Sequence, residues 1–170
     1  SVISATETGY YGNSQGGVLG GGYLAMSPVI QRGFLGVPGA PFAMLLDRSA
    51  DFLAFVILLN QTMEDEREVT LFVDGLAQHL WDPAEAGGWL RAMNESPEFF
   101  PKDVLLHVAL GDAEVPDLGA HVMARAYGAV SLAPQVRPIV GIPEGEAGFK
   151  GSAIVEWRYV GTPDPPVGPI

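Results

Sequence analysis

A glycine-serine-glycine motif near the start of the chain, Gly12-Asn13-Ser14-Gln15-Gly16, most constrains the fold. The run 9–11 before it contains two tyrosines and predicts the end of a strand. The run 17–26 after it is small and apolar, and predicts a buried helix that Ser27-Pro28 closes. Each glycine in that run lowers helix propensity by about 1 kcal/mol relative to alanine, which makes sense only if the helix lies very close to a sheet. The motif therefore predicts a sharp strand-to-helix turn.

A turn of this kind suits a serine nucleophile. Such a serine lies on strained backbone, and Gly12 and Gly16, which lack a Cβ, would let neighbouring chain pack closely against it. The hydroxyl of Ser14 would stand above the sheet at the helix N-terminus, where the helix dipole favours a developing anion. The N–H of Gln15 would be one donor of an oxyanion hole. The alternative is a glycine-rich loop that contains a serine by chance, since the chain has 22 glycines.

The remaining patterns alternate between strand and helix, which is typical of an α/β fold. After the first strand, further strands are predicted over 32–38, 104–110 and 152–160. The run 104–110 is nearly all apolar, as expected of a parallel strand that is covered on both faces. Helices are predicted within 42–100 and over 117–127. Residues 138–151 and the Pro-rich tail 162–170 are predicted to be loops.

One helix within 42–100 is predicted over 64–80, because its apolar residues recur at helical spacing. Its first turn holds Glu64, Asp65 and Glu66, which are most simply a solvated helix start. The aromatic and methionine side chains of 42–100, including Met44, Met63 and Met93, could line a pocket for an acyl chain. Ordinary core packing is the default interpretation of these residues.

Composition excludes several classes of function. The 170 residues, 48% of them hydrophobic and 17% charged, suit one folded domain with a proper core. A net charge of −11 argues against nucleic acid and anionic membrane surfaces as partners. No run predicts a membrane span, and the lack of a basic, apolar leader slightly favours the cytoplasm. With no cysteine, no Cys/His cluster and no Gly-rich loop bearing a lysine, neither a metal nor a cofactor is expected.

Three segments together resemble the α/β-hydrolase superfamily, in its esterase/lipase branch. They are 12–17, the strand 32–38, and Gly111-Asp112-Ala113-Glu114-Val115-Pro116 after the strand 104–110. The resemblance implies that Asp112 is the acid of a catalytic triad, with Glu114 as second choice. Without it, Asp112 is an N-cap for the following helix. The resemblance also implies that 42–100 is a helical lid-like insertion, and it covers only the C-terminal half of the family's fold, from the nucleophile turn onward.

The chain departs from the family pattern in two places. The family's first four strands would precede the motif, and residues 1–11 are too few to hold them. The triad histidine would follow the last strand, but the only histidines are His79, His107 and His121. Either the chain is a truncated piece or another histidine has taken that role. His121 is the first candidate, because it keeps the order serine, acid, histidine. His107 is more simply a core histidine, and His79 a surface one.

The sequence therefore predicts a single α/β domain over 1–170, with a short, mostly parallel sheet of about four strands. Its predicted function is hydrolysis of carboxylic esters with small or medium acyl chains, through an acyl-enzyme at Ser14. His121 would be the base, Asp112 its orienting acid and Gln15 an oxyanion donor. The alternative is a non-catalytic fragment or subunit that lacks a working triad. The partners expected are a small-molecule ester and, at the open edge of the first strand, a second copy of the chain or another chain.

Overall fold

The chain folds around one six-stranded, all-parallel sheet. The computed structural model describes residues 7–63, 66–95 and 101–161. The strands are β1 (Gly9–Asn13), β2 (Arg32–Gly36), β3 (Asp103–Ala109), β4 (Val130–Leu132), β5 (Glu144–Gly145) and β6 (Ala153–Trp157). Their order across the sheet is β1-β2-β3-β6-β4-β5, and each neighbouring pair is parallel. The predicted α/β fold class is confirmed.

Helices connect the strands. The α-helices of the described residues are α1 (Gln15–Met26), α2 (Phe42–Leu46), α3 (Leu53–Thr62), α4 (Glu66–Thr70), α5 (Gln78–Trp81), α6 (Ala92–Glu95) and α7 (Asp117–Ala126). A π-helix, Leu71–Ala77, joins α4 to α5, and 3₁₀-helices span Ala50–Phe52 and Gly87–Trp89. Helices α2 to α6 all lie between β2 and β3, in the segment predicted to be helical. None of the helices in the described ranges combines the length and apolar character that crossing a membrane would require.

The sheet has six strands where about four were predicted. The two extra strands are β4, with three residues, and β5, with two. Elements this short carry no readable alternation of polar and apolar residues, and β5 lies within the predicted loop 138–151. Strand β4 belongs to the sheet because it pairs with β6, which also pairs with β3, and β5 belongs to it because it pairs with β4.

Helix α1 lies against β1 and β2 at distances that only glycine allows. A Cβ on Gly17 would overlap the carbonyl oxygen of Gly36 in β2. A Cβ on Gly20 would lie 2.6 Å from the ring of Tyr10 in β1 and 2.7 Å from the side chain of Leu35. The predicted close approach of this helix to the sheet is therefore confirmed, and it explains why the helix tolerates so many glycines.

The second face of the sheet is only partly covered by the described residues. In β3 the side chains of Val104, Leu106 and Val108 are buried, whereas Leu105, His107 and Ala109 are half-buried. Residues of α1 and α7 belong to the core that buries the first set. The predicted cover on both faces is therefore observed for one face and, among the described residues, only in part for the other. An aromatic row crosses the open face, with neighbouring rings 5.0 to 5.5 Å apart: Tyr11, Phe34, His107 and Trp157.

The helical segment between β2 and β3 has a small core of its own. Ala43, Val69 and Val73 are buried there, and Leu59 and Trp81 pack against them. The carboxylate of buried Glu85 holds this segment together, since it accepts hydrogen bonds from the side chain of Gln78 (2.7 Å) and from the N–H of Gly87 (2.6 Å). The acidic pair Glu64 and Asp65, residues 96–100, the N-terminal residues 1–6 and the tail 162–170 lie outside the described residues.

The hydroxyl of Tyr127, at the end of α7, gives a test of this packing. It is fully buried near Gly21 of α1 and has no hydrogen-bond partner among the described residues. A buried hydroxyl without a partner keeps its desolvation cost. We expect Tyr127→Phe to raise the free energy of unfolding in urea by about 1 kcal/mol. Tyr23→Phe, at a half-exposed ring, is the control and should change little. A loss of stability in Tyr127→Phe would contradict this packing.

Candidate functional site

Ser14 lies on the strained turn that its motif predicts. Its backbone angles are φ 55° and ψ −123°, in a region that residues other than glycine rarely adopt. The turn is held on both sides by backbone hydrogen bonds. The N–H of Ser14 donates to the Gly36 carbonyl in β2 (3.0 Å), and its own carbonyl accepts from the N–H groups of Gly17 (2.7 Å) and Val18 (2.9 Å). These bonds stabilise a backbone conformation that a serine rarely adopts.

The two glycines of the motif have different roles. A Cβ on Gly12 would overlap the carbonyl of Gly16 and lie 2.6 Å from the Tyr10 hydroxyl, so only glycine fits there. A Cβ on Gly16 would have its nearest neighbour at 3.7 Å, which is an ordinary contact. The prediction of close packing is thus confirmed for Gly12. It is wrong for Gly16, because a Cβ there would fit without a clash. Gly16 contributes its carbonyl instead, which accepts a 2.8 Å hydrogen bond from Tyr10.

The side chain of Ser14 is exposed at the N-terminus of α1. Its hydroxyl makes no capping hydrogen bond to the helix. Gln15 is the first residue of α1, so its N–H has no acceptor within the helix. The dipole of the 12-residue helix adds positive potential at the same end. The hydroxyl of Ser14 and the N–H of Gln15 therefore lie where an anion would be stabilised.

A second strained residue, Val37, follows the end of β2. Its φ is 42°, which is unfavourable for a β-branched side chain. Its N–H donates to the carbonyl of His107 in β3 (2.8 Å), and the preceding Gly36 carbonyl accepts from Ser14. The predicted strand 32–38 ends two residues early because of this turn. Neighbouring ends of β1 and β2 thus both carry strain, which is frequent at functional sites.

Asp112 lies at the same edge of the sheet, just after β3. Its Oδ1 accepts hydrogen bonds from the N–H groups of Glu114 (2.8 Å) and Val115 (3.0 Å), which fix the half-buried carboxylate. The N-cap of α7 is Pro116, so the alternative role of Asp112 as a helix cap was wrong. Glu114, the second choice for the acid, is exposed. Because β1, β2 and β3 are parallel, the residues that follow them lie at one edge, where α/β sheets bind ligands.

His121, the candidate base, belongs to a buried network of charges. Its Nε2 lies 2.7 Å from Oε1 of Glu156 in β6. Arg137 donates to both oxygens of Glu156, at 3.1 Å each, and also to Asp117 at the start of α7. Among the described residues, no hydrogen bond joins His121 to Ser14 or to Asp112. The chain order that singled out His121 could not reveal Glu156, which is its partner in the structure.

The same network contains the residues of the described chain that come closest to a metal site. Ligand atoms of Asp117, His121 and Glu156 lie within 4.8 Å of one another, and all three residues are buried. Arg137, however, already bonds both carboxylates, so its guanidinium supplies the positive charge that a cation would bring. The network is therefore described best as an ion-pair cluster that joins α7 to β6.

Charge pairing controls the ionisation of Glu156. Burial alone would raise the pKa of its carboxyl group, but hydrogen bonds from His121 and Arg137, and the charge of the guanidinium, outweigh burial and lower the pKa below its usual 4.5. Glu156 is therefore held in its ionised form in the folded protein.

The two remaining histidines lie apart from this network. The side chain of His79 is 80% exposed and lies 3.7 Å from Asp82, which agrees with its interpretation as a surface residue. His107 is half-buried in the aromatic row on the open face of the sheet, and burial lowers its pKa. The default interpretation of His107 as a core residue is thus only partly correct.

A cavity of about 420 Å³ lies within the helical segment between β2 and β3. Eleven side chains line it, all of them apolar, and its aromatic members are Phe42, Phe52, Phe55, Phe72 and Trp81. The methionines proposed for such a pocket do not line it. Met93 lies in the main core, and Met63 packs on the small core of the segment.

Comparison of the chain with protein-family models, curated proteins and solved structures gave no match.

The ion-pair cluster predicts a specific dependence of stability on pH. Since the folded-state pKa of Glu156 lies below its unfolded value, its stabilisation is present above about pH 4.5 and is lost as the pH falls through the folded pKa. Glu156→Gln should lower the free energy of unfolding by about 2 kcal/mol at pH 7, because it removes the carboxylate charge that strengthens the hydrogen bonds from Arg137 and His121. The deficit should shrink below about pH 4.5.

Urea unfolding of both proteins between pH 3 and pH 7 measures this difference. Glu146→Gln, at an exposed loop position, is the matched control and should follow the wild type throughout. A Glu156→Gln deficit that stays constant over this range would show that the carboxylate charge is not what stabilises the cluster.

Proposed function

We propose that this chain is an α/β-hydrolase-like serine esterase that cleaves carboxylic esters with small or medium acyl chains. The observation that carries the proposal is the conformation of Ser14. It is an exposed serine at φ 55° and ψ −123°, between the end of a parallel strand and the N-terminus of a helix. Strain of 1–3 kcal/mol, roughly, persists only where the surroundings enforce it. Here the neighbouring strand and helix do so, and the result is a hydroxyl held clear of the backbone.

The proposed reaction proceeds through an acyl-enzyme. The Oγ of Ser14 attacks the carbonyl carbon of the ester as a base removes the hydroxyl proton. The carbonyl oxygen becomes an oxyanion, to which the N–H of Gln15 donates a hydrogen bond, and the helix dipole adds stabilisation. The alcohol leaves with the proton from the base, and water then releases the acid and regenerates Ser14.

Asp112 and His121 complete the proposed triad. Asp112 is supported by its position after β3 and by its Oδ1, which two backbone N–H groups hold in place. His121 is supported by chain order alone, since its Nε2 is bonded to Glu156. To act as the base, its ring must leave this bond. The role of His121 is therefore tested separately from that of Ser14.

The second candidate function is a non-catalytic scaffold. It is favoured by one observation: within the described residues, none of the three histidines is hydrogen-bonded to Ser14 or Asp112. In that case the strained turn is a structural remnant and the chain hydrolyses nothing. The experiments below separate the two candidates.

We further propose that β1 is a contact site for a second copy of the chain or for another chain. Within the described residues β1 pairs only with β2, so its outer edge has unpaired N–H and C=O groups. Exposed apolar side chains lie on β1 and on the helix that follows it, among them Tyr11, which is 71% exposed, and Leu19 and Tyr23 of α1. An exposed edge with apolar neighbours is a typical interface.

Substitution of Ser14 tests the nucleophile. Ser14→Ala should lower hydrolysis of p-nitrophenyl esters by about a thousandfold or more, because the attacking oxygen is gone. Ser14→Gly should do the same and should also raise the free energy of unfolding by about 1 kcal/mol, because glycine tolerates a positive φ. Retained hydrolysis in either variant would exclude Ser14 as the nucleophile.

The three histidines form an internal comparison. If His121 is the base, His121→Ala should lower kcat by about 100- to 10,000-fold, whereas His79→Ala, at an exposed position, should retain wild-type activity. His107→Ala tests the aromatic row. Glu156→Gln separates a catalytic role of His121 from a packing role, since this variant disturbs the ion-pair cluster but keeps the imidazole ring of His121. Wild-type activity in all three alanine variants would exclude these histidines as bases.

Sedimentation velocity at micromolar concentration tests the β1 contact. We expect a two-fold dimer, since an edge strand can pair with its own copy. Tyr11→Lys should shift the equilibrium toward monomer, because charge on an edge strand blocks pairing. Tyr159→Lys, at an exposed position after β6, is the matched control. A stable monomer of the wild type, with no other chain present, would contradict the proposal.

A further inference from the structure

The cavity in the helical segment is the strongest candidate for a second functional feature. Its volume of about 420 Å³ lies within the usual range for small-molecule sites. We propose that it binds the uncharged, apolar chain of the ester substrate, an inference that rests on the proposed esterase function. The cavity would bind such a chain whether or not Ser14 is able to react with it.

The exposure of its lining shows that the cavity is a cleft open to solvent and not a void inside the core. Several of its lining residues are open to solvent, including Leu80 (79% exposed) and Phe55 (61% exposed). Apolar side chains left in contact with water at a concave surface gain most from an apolar ligand.

The backbone of one cavity wall is also unusual. The π-helix Leu71–Ala77 contributes Phe72, Val73 and Ala77 to the lining. Helices of this type are rare, and where they occur they are frequently associated with functional sites. Three of the eleven lining residues therefore lie on this π-helix.

Two connections link the cavity wall to the edge of the sheet that carries Ser14 and Asp112. Phe42, which lines the cavity, begins α2 directly after the loop that leaves β2. The N–H of Ala50 donates to the carbonyl of Ala113 (2.7 Å), next to Asp112. One end of this short segment thus follows the loop after β2, and the other end is hydrogen-bonded next to Asp112. Phe42 then packs edge-on against Phe52 and Trp81, at ring distances of 5.6 and 5.2 Å.

The lining defines the chemical class of the ligand. Of the eleven lining side chains none is charged, and only the indole of Trp81 can donate a hydrogen bond, so an ionised group would lose its hydration there with little compensation. The net charge of −11 adds a further bias against anions. The ligand is therefore an uncharged hydrocarbon chain, with any polar group left outside the cavity.

Straight-chain primary alcohols of increasing length, added to the Ser14→Ala variant, test the inference by calorimetry. We expect the affinity to rise about fourfold with each added methylene until the cavity is full. The carboxylates of the same lengths should bind more weakly than the alcohols. Trp81 should report the binding through its fluorescence, in a background where Trp89 and Trp157 are replaced by Phe.

A matched pair of leucines provides the controls. Leu80→Glu places a charge at the mouth of the cavity and should lower alcohol affinity at least tenfold, because burial of that charge is unfavourable. Leu76→Glu, on the π-helix and 67% exposed but outside the lining, should retain the affinity. Both side chains are exposed, so both variants should keep the wild-type circular dichroism.

The outcomes separate the cavity from the catalytic proposal. Length-dependent binding that Leu80→Glu removes supports the cavity site, even if Ser14 proves inert. Ester hydrolysis at Ser14 with no dependence on chain length, and no alcohol binding, would overturn the cavity site and leave the esterase standing. Dimerisation that Leu80→Glu abolishes, without alcohol binding, would also overturn it, because the cavity would then be part of a contact between copies.

Discussion

The close approach of α1 to β1 and β2 is the constraint on which the rest of the structure depends. Glycines at the contact leave no space for a Cβ, so the helix must begin immediately after the strand. Ser14 is the residue at that junction, and its positive φ is the result. The Gly36 carbonyl in β2 and the first turn of α1 then hold the junction from both sides. Close packing and an exposed, strained serine are therefore two consequences of one contact.

Much of this framework was predictable from local sequence signals. The glycine spacing around Ser14, the apolar run of β3 and the helix that follows Asp112 each gave the correct element within a few residues. These signals are local, since they depend on the steric needs of glycine and on the spacing of apolar side chains. The edge position of β1 was expected from the resemblance to the α/β-hydrolases and not from a local signal, and within the described residues it is observed.

What could not be predicted depends on contacts between distant residues. The strands β4 and β5 are defined by pairing with β6 and with each other, not by their own three and two residues. The partner of His121 is Glu156, 35 positions later, and only the topology brings them together. The positive φ of Val37 has no sequence signal beyond the prolines and glycine that follow it. The half-open face of β3 could not be inferred from its apolar run, because such a run does not show which elements cover each face of the strand.

The central claim is that Ser14 is an activated nucleophile, and covalent labelling tests it most directly. The folded protein is treated with a fluorophosphonate probe, and the adduct is located by mass spectrometry of the intact chain and of its peptides. Ser14 should carry a single adduct, and labelling should cease when the protein is unfolded in urea, since activation depends on the turn and not on the residue. No adduct at Ser14, under conditions in which a reference serine esterase reacts completely, would contradict the claim. Equal labelling of several serines would contradict it as well.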